Sequence, residues 1–342
     1  MLLSGPVIQW TMKWLQGNEM HYLELEKEFA KFVGTKGCVT VNTGTAALHT
    51  ALEALNLPPD SKILVPDFTM YATALAVYYA RLHPVFVDCD ADLLIDLDKA
   101  ESLIDERTRV LMVTHIYGRI VDMDRVMQLA KKYNLRVIED ACEAHGATWN
   151  GKPVGSFDIG CFSFYRNKIV HGEEGGAITS DDTDLLKIAA DMKSMSFGES
   201  HNFFHSQIGF NYRMTNSQAA MILDSLHEVR DNLKKRQEIT SKFNSLFNKK
   251  FQMPDNRDVV WVYDLYHPRA DTVIKRLKDV GIIARHSFKP MSSMPLFSYH
   301  KVNENAYLKS NEVFYLDIDV SWDDKTITQI YETTATIMEE EL

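Results

Sequence analysis

Residues 109–141, RVLMVTHIYGRIVDMDRVMQLAKKYNLRVIEDA, decide how this chain folds. RVLMVTHIYG (109–118) reads as a buried strand, DMDRVMQLAKKYN (122–134) as a helix with apolar residues at helical spacing, and LRVIEDA (135–141) as another strand. Strand, helix, strand in that order is a βαβ unit. Upstream, KILVPDF (62–68) and HPVFVDCD (83–90) read as two more short strands around the helical segment TALAVYYARL (73–82). These runs do not alternate and are rich in β-branched residues, which suits parallel strands covered on both faces. The expectation is an α/β chain whose mostly parallel, doubly wound sheet is covered by helices.

After about Thr215 the pattern changes. NSQAAMILDSLHEVRDNLKKRQEITSKFNSLFNKK (216–250) predicts one long helix with its charges on one side, bridging out of the first domain. Beyond it, VVWVYDLYH (259–267), TVIKRLKDVG (272–281), IIARHSF (282–288) and KTITQIYETTATIM (325–338) predict a smaller C-terminal α+β domain. The expected division is a large domain over residues 1–230 and a small one over 231–342.

Composition narrows the function classes. At 342 residues and 45% apolar content the chain can bury a sizeable core. A formal charge of −10 argues against an electrostatic grip on nucleic acid or anionic lipid, leaving small molecules or proteins as partners. The four cysteines, Cys38, Cys89, Cys142 and Cys161, form no CxxC pair, so neither a disulfide framework nor a zinc ribbon is expected. No charged leader precedes a long apolar run and no stretch of about 18 apolar residues occurs, so the expectation is a cytoplasmic protein.

Three short motifs carry chemistry. In CVTVNTGTAALHTALEAL (38–55) a short β-like run meets Thr43-Gly44-Thr45 and then an alanine-rich helix. Free amides at a helix N-terminus, a glycine and two hydroxyls make a seat for a phosphate, although on this motif alone Thr43 or Thr45 as a simple helix cap is the favoured explanation. VIEDACEAHGA (137–147) ends a strand with Glu139 and Asp140, where an open α/β sheet faces its ligand crevice. A carboxylate there can keep a heterocyclic nitrogen protonated, or it can cap the next helix. SFYRNKIVHGEEGG (163–176) sets Lys168 between Ser163 and the glycines at 172, 175 and 176. Its amine can form a Schiff base with an aldehyde, Ser163 can bond the same phosphate, and the glycines can give room to a planar ligand. A lone lysine in a loop is otherwise a solvated charge. Together, in chain order, a phosphate turn, a strand-end carboxylate and a lysine 28 residues after Asp140 point to the usual roles in a pyridoxal phosphate enzyme.

These residues also carry a family likeness. LELEKEFAKFVG, NTGTAALHTALEAL, VPDFTMYATALAV, THIYGRIVDMD, VIEDACEAHGA, GSFDIGCFSFYRNK, GEEGGAITSDD and GFNYRMTNSQAA occur in order along nearly the whole chain. In them the chain resembles the DegT/DnrJ/EryC1/StrS sugar aminotransferases, pyridoxal phosphate enzymes of fold type I with a large domain and a smaller C-terminal domain. The resemblance implies that Lys168 is the Schiff-base lysine and that Asp140 pairs with the pyridine nitrogen. It puts Glu143 where relatives usually carry glutamine near the cofactor's phenolic oxygen, and Gly44, Thr45 and Ser163 at the phosphate. Asn211 would reach the phosphate of a neighbouring subunit, which implies a homodimer with shared sites. Met70 stands where relatives often stack an aromatic residue on the ring, with Tyr71 next to it as the alternative. ARHSFKPMSSMPLF is similar to a family segment ending in proline, leucine and histidine, but here Met291 and Ser292 follow Pro290 and the histidine is missing, so the resemblance assigns no substrate contacts there.

The implied reaction passes an amino group from L-glutamate through pyridoxamine phosphate to a nucleotide-linked keto sugar. The interval KIVHGEEGG is similar to that of members aminating C4 of a 4-keto-6-deoxyhexose, one residue shorter than in C3 members. Three rival readings are a sugar 3-aminotransferase, a pyridoxamine-dependent dehydratase and a non-catalytic regulator that binds the cofactor. Lys168 speaks against the dehydratase, which carries histidine there. No GxGxxG follows a strand, which argues against a dinucleotide oxidoreductase, and His171 with Glu173 and Glu174 lacks a second cluster to complete a metal site.

Overall fold

A computed structural model describes residues 20–198, 203–205, 207–253 and 257–342. Residues 1–19, which the sequence reading assigned to the large domain, lie outside the described residues. Seven strands form the main sheet: β1 (Gly37–Val41), β2 (Lys62–Pro66), β3 (His83–Val87), β4 (Thr108–Thr114), β5 (Arg136–Asp140), β8 (Ile159–Ser163) and β9 (Gly176–Ser180). The two-residue pair β6 (Thr148–Trp149) and β7 (Lys152–Pro153) is a separate hairpin. Spatial order in the main sheet is β1-β9-β8-β5-β4-β2-β3. β9 pairs antiparallel with both neighbours, and every other pairing is parallel. Six strands therefore point one way, and their C-terminal ends share one edge.

The unalternated apolar runs are explained by what covers them. Along β2, Ile63 and Val65 pack on one face and Leu64 on the other; along β4, Val110 and Met112 oppose Leu111 and Val113. Helices α2 (Gly44–Ala54), α3 (Tyr71–Tyr79) and α6 (Thr183–Met192) cover the first face. Helices α4 (Leu97–Ser102) and α5 (Met123–Tyr133) cover part of the second, and α1 (His21–Val33) packs Leu25 and Phe29 beside Cys38 and Phe162. Each such side chain stabilises the fold by about 1.5–3 kcal/mol.

The long helix expected over 216–250 is instead two, α7 (Asn216–His227) and α8 (Val229–Leu246), meeting at Glu228. Thr215 and Gln218 close a reciprocal capping box at the start of α7. A three-stranded antiparallel sheet follows, ordered β10 (Val262–Tyr266), β12 (Val313–Asp317), β11 (Ala284–His286). Its apolar side packs on α8, α9 (Ala270–Asp279) and α11 (Asp324–Glu340) through Phe243, Val273, Leu277, Phe314 and Ile337. Helix α10 (Glu304–Glu312) leads into β12.

The expected strands end early where carboxylates leave the ladder. After β2, the buried Asp67 carboxylate accepts hydrogen bonds from the Ser292 amide (2.7 Å), the Ser292 hydroxyl (2.6 Å) and the Asn303 amide side chain (3.0 Å). The segment after Pro290 is thus anchored on the end of β2. Among the described residues no helix is long and apolar enough to cross a membrane, and all four cysteines are free.

Candidate active site

The edge made by the parallel strand ends collects most of the expected residues. β5 delivers Glu139 and Asp140, and because successive strand residues face opposite ways, the two carboxylates do different work. Glu139 turns to the α5 side. There it accepts the amides of Gly155 and Phe157, both at 2.8 Å, and faces His115 Nε2 at 3.2 Å. Asp140 turns toward α3, where Thr73 Oγ1 donates to it at 2.7 Å and the Cys142 amide at 3.3 Å. Thr73 contacts Thr69 at 3.0 Å, and Thr69 contacts Thr114 at 3.1 Å, so a buried hydroxyl chain orients the Asp140 carboxylate. No α-helix begins after Asp140, so the capping alternative falls away.

Lys168 follows β8 and is largely sheltered, with 11% of its side chain exposed. Its Nζ lies 3.7 Å from the centroid of the Trp261 ring and 3.7 Å from Glu143 Oε1. Trp261 is itself fixed by donating from its indole nitrogen to the Asn167 carbonyl at 2.7 Å. Glu143 is buried, and its Oε2 accepts the Tyr117 amide at 2.9 Å. Burial raises the Glu143 carboxyl to about 7, opposed by the Lys168 charge and the Tyr117 amide. His145, buried against Phe29, Phe162 and Phe164, is pushed down to about 3 by burial first and by the Lys168 charge second. Burial and then Asp140 raise the neighbouring Cys142 thiol, while Lys168 opposes them, so Asp140 and Lys168 act on one microenvironment.

At the start of α2, Thr43 Oγ1 accepts the Ala46 amide at 3.0 Å, which makes Thr43, not Thr45, the helix cap. The Gly44 and Thr45 amides belong to the first turn and have no intrahelical acceptor. Gly44 touches β8: a Cβ there would sit 2.7 Å from Ser163 Cβ, so only glycine brings the helix start this close to the serine. At the glycines after Lys168 the space a side chain would take is filled by protein. A Cβ at Gly172 or Gly175 would meet Ile222, and one at Gly176 would meet the Thr43 carbonyl at 2.2 Å.

Met70 precedes α3 with its side chain half exposed, and the Tyr71 ring turns to Phe297, 6.2 Å away. Asn211 is exposed and bridges Ser194 through the backbone. His171 Nδ1 contacts Ser225 Oγ at 3.2 Å, and Glu173 and Glu174 are exposed. Among the described residues no group of three metal-ligating side chains gathers. Thr73, Tyr117 and Trp261 were missed by sequence reasoning, since each reaches the site from a distant part of the chain.

The residues present fit a phosphorylated pyridine aldehyde: a sheltered amine, a buried carboxylate oriented by hydroxyls, and a helix N-terminus closed on a serine by a glycine contact. Comparison with known proteins agrees. The GDP-perosamine synthase of Caulobacter vibrioides is 37% identical over 300 residues, covering 84% of this chain and 81% of that protein. The GDP-perosamine synthase of Escherichia coli O157:H7 is 33% identical over 294 residues, covering 83% and 81%. Among solved structures, S. venezuelae DesV in complex with a ketimine intermediate superposes with a TM-score of 0.90 at 25% identity, over 96% of this chain and 93% of that one. The profile of the DegT/DnrJ/EryC1/StrS aminotransferase family matches residues 8–334, and the chain belongs to that family.

Proposed function

We propose that this chain is a pyridoxal phosphate-dependent aminotransferase that moves an amino group from L-glutamate to C4 of a GDP-linked 4-keto-6-deoxyhexose. The observation that carries the reading is the Lys168 amine, sheltered between Trp261 and Glu143 at the strand edge that also holds Asp140. Pyridoxal phosphate supplies an electrophilic carbonyl and a ring that takes up the charge developing at the donor's α-carbon. Asp140 keeps the ring nitrogen protonated and Lys168 carries the cofactor, then accepts and returns a proton as a neutral amine. Glu143 holds the ammonium form of Lys168 in place when the amine is free. Gly44, Thr45 and Ser163 hold the phosphate, with Thr43 ordering the turn.

The GDP and C4 assignments rest on three relatives named GDP-perosamine synthases and on the length of the Lys168–Gly176 interval. Relatives named as 3-aminotransferases or transaminases of 3-amino sugars carry the rival C3 reading. A homodimer in which Asn211 reaches the partner's phosphate site, Met70 covering the ring, and a division of the chain near residue 230 belong to the same proposal. Incubation with pyridoxal phosphate, L-glutamate labelled at its amine nitrogen and, in separate reactions, GDP-, dTDP- or UDP-linked 4-keto-6-deoxyhexoses or their 3-keto isomers tests it. Label should enter the GDP sugar with equimolar 2-oxoglutarate. Transfer to 3-keto substrates alone, or none at all, would overturn the assignment.

A further inference from the structure

The small sheet reaches the site through a second route besides Trp261. Asp264, in the middle of β10, is buried between two guanidinium groups: Arg119 Nη1 lies 2.9 Å from its Oδ2, and Arg257 Nη1 donates to its Oδ1 at 2.8 Å. All three side chains are at most 2% exposed. Arg119 closes the tight turn Ile116–Gly118, and Arg257 also donates to the Tyr117 carbonyl at 3.2 Å. Tyr117 holds φ at 55°, a left-handed backbone unusual for an aromatic residue, and Gly118 follows at φ 92°. At Gly118 a Cβ would lie 2.0 Å from the Val259 carbonyl oxygen, so this turn is pressed against the chain entering β10. The strained residue is the one whose amide donates to Glu143, and a left-handed conformation persists only where surroundings over-determine it.

We infer that Arg119, clamped by Asp264 of the small sheet, is a positioning residue for the reaction: it holds the left-handed Tyr117 turn so that its amide keeps Glu143 against Lys168. The inference rests on the proposed cofactor chemistry at Lys168. Groups facing Glu143 are Lys168, Asp140 and the phenols of Tyr117 and Tyr315, and the Tyr117 amide is the uncharged donor among its neighbours. Loss of that donor disfavours the charged carboxyl. Less negative charge then faces the Lys168 nitrogen, which should release its proton at lower pH.

The test is a pH titration of the visible absorbance of the cofactor-loaded protein, comparing the parent with Arg119→Gln and Arg119→Lys. The midpoint should fall by about one pH unit in Arg119→Gln. Arg119→Lys, which keeps the charge but loses the planar fork, should move it the same way. Arg136→Gln, which breaks a pair with Asp158 on the same large sheet, should lower the melting temperature and leave the midpoint unmoved. Unchanged or raised midpoints in both Arg119 variants would overturn the inference. A parent protein without a visible band would instead count against the cofactor reading. Should neither variant fold, hydrogen exchange of the parent decides: the Tyr117 amide should exchange as slowly as the β4 and β5 amides, and exchange at exposed-loop rates refutes the clamp.

Discussion

Replacing Glu143 by glutamine should stabilise the cofactor-free protein by an amount that grows from near zero below pH 4.5 to its full size above about pH 7. The buried carboxyl is raised from 4.5 to about 7, chiefly by burial. At about 1.4 kcal/mol per tenfold change, this corresponds to about 3 kcal/mol. The sign follows from linkage. Below pH 4.5 the carboxyl is protonated in folded and unfolded chains alike, and the parent incurs no penalty. As pH rises through 7 the unfolded chain has already released its proton while the folded one must ionise in a dry site, so stability is lost. Glutamine keeps the acceptor for the Tyr117 amide and cannot ionise. With an unfolding entropy of about 2.1 cal/mol/K per residue, 3 kcal/mol amounts to about 4 °C for a chain of this length. Melting curves of both proteins from pH 4.5 to 8 measure it. The difference should be near zero at the acid end and about 4 °C in favour of Glu143→Gln at pH 8. A constant difference across the range, or a variant less stable at pH 8, would refute the reasoning.

Asp140→Asn should retain bound cofactor yet slow the glutamate half-reaction at least about 100-fold, as followed by stopped-flow absorbance. Gly44→Ala drives a methyl group against Ser163 and should weaken cofactor binding at least about tenfold, measured by fluorescence titration of the cofactor-free protein. Ser292→Ala removes the 2.6 Å donor to buried Asp67 and should cost about 1–3 kcal/mol, visible as a lower melting temperature without a change in cofactor affinity.

What was legible in the sequence follows from burial. Strands β2 to β5 stood out because both of their faces are covered, leaving continuous apolar runs. β9, GAITS, is short and built of small residues, so neither the strand nor its reversed direction could be read. The break at Glu228 was invisible because the helical pattern runs on through it. Asp140, Ser163 and Gly44 could be singled out because each lies at a strand end or helix start, and Lys168 because it follows one, where local chemistry is readable; Glu143 came only from the family resemblance. Trp261 contacts the Lys168 loop across 94 residues of chain, and no local signal announces such a meeting. The same holds for Tyr117, whose carbonyl accepts from Arg257 across 140 residues of chain.

The most direct test concerns the bond on which the account depends. The protein is loaded with pyridoxal phosphate, reduced with borohydride, digested and sequenced by mass spectrometry. One phosphopyridoxyl group should appear, on the peptide containing Lys168 and at that side chain. Attachment to another lysine, or no attachment to a folded, cofactor-saturated protein, would contradict the central claim.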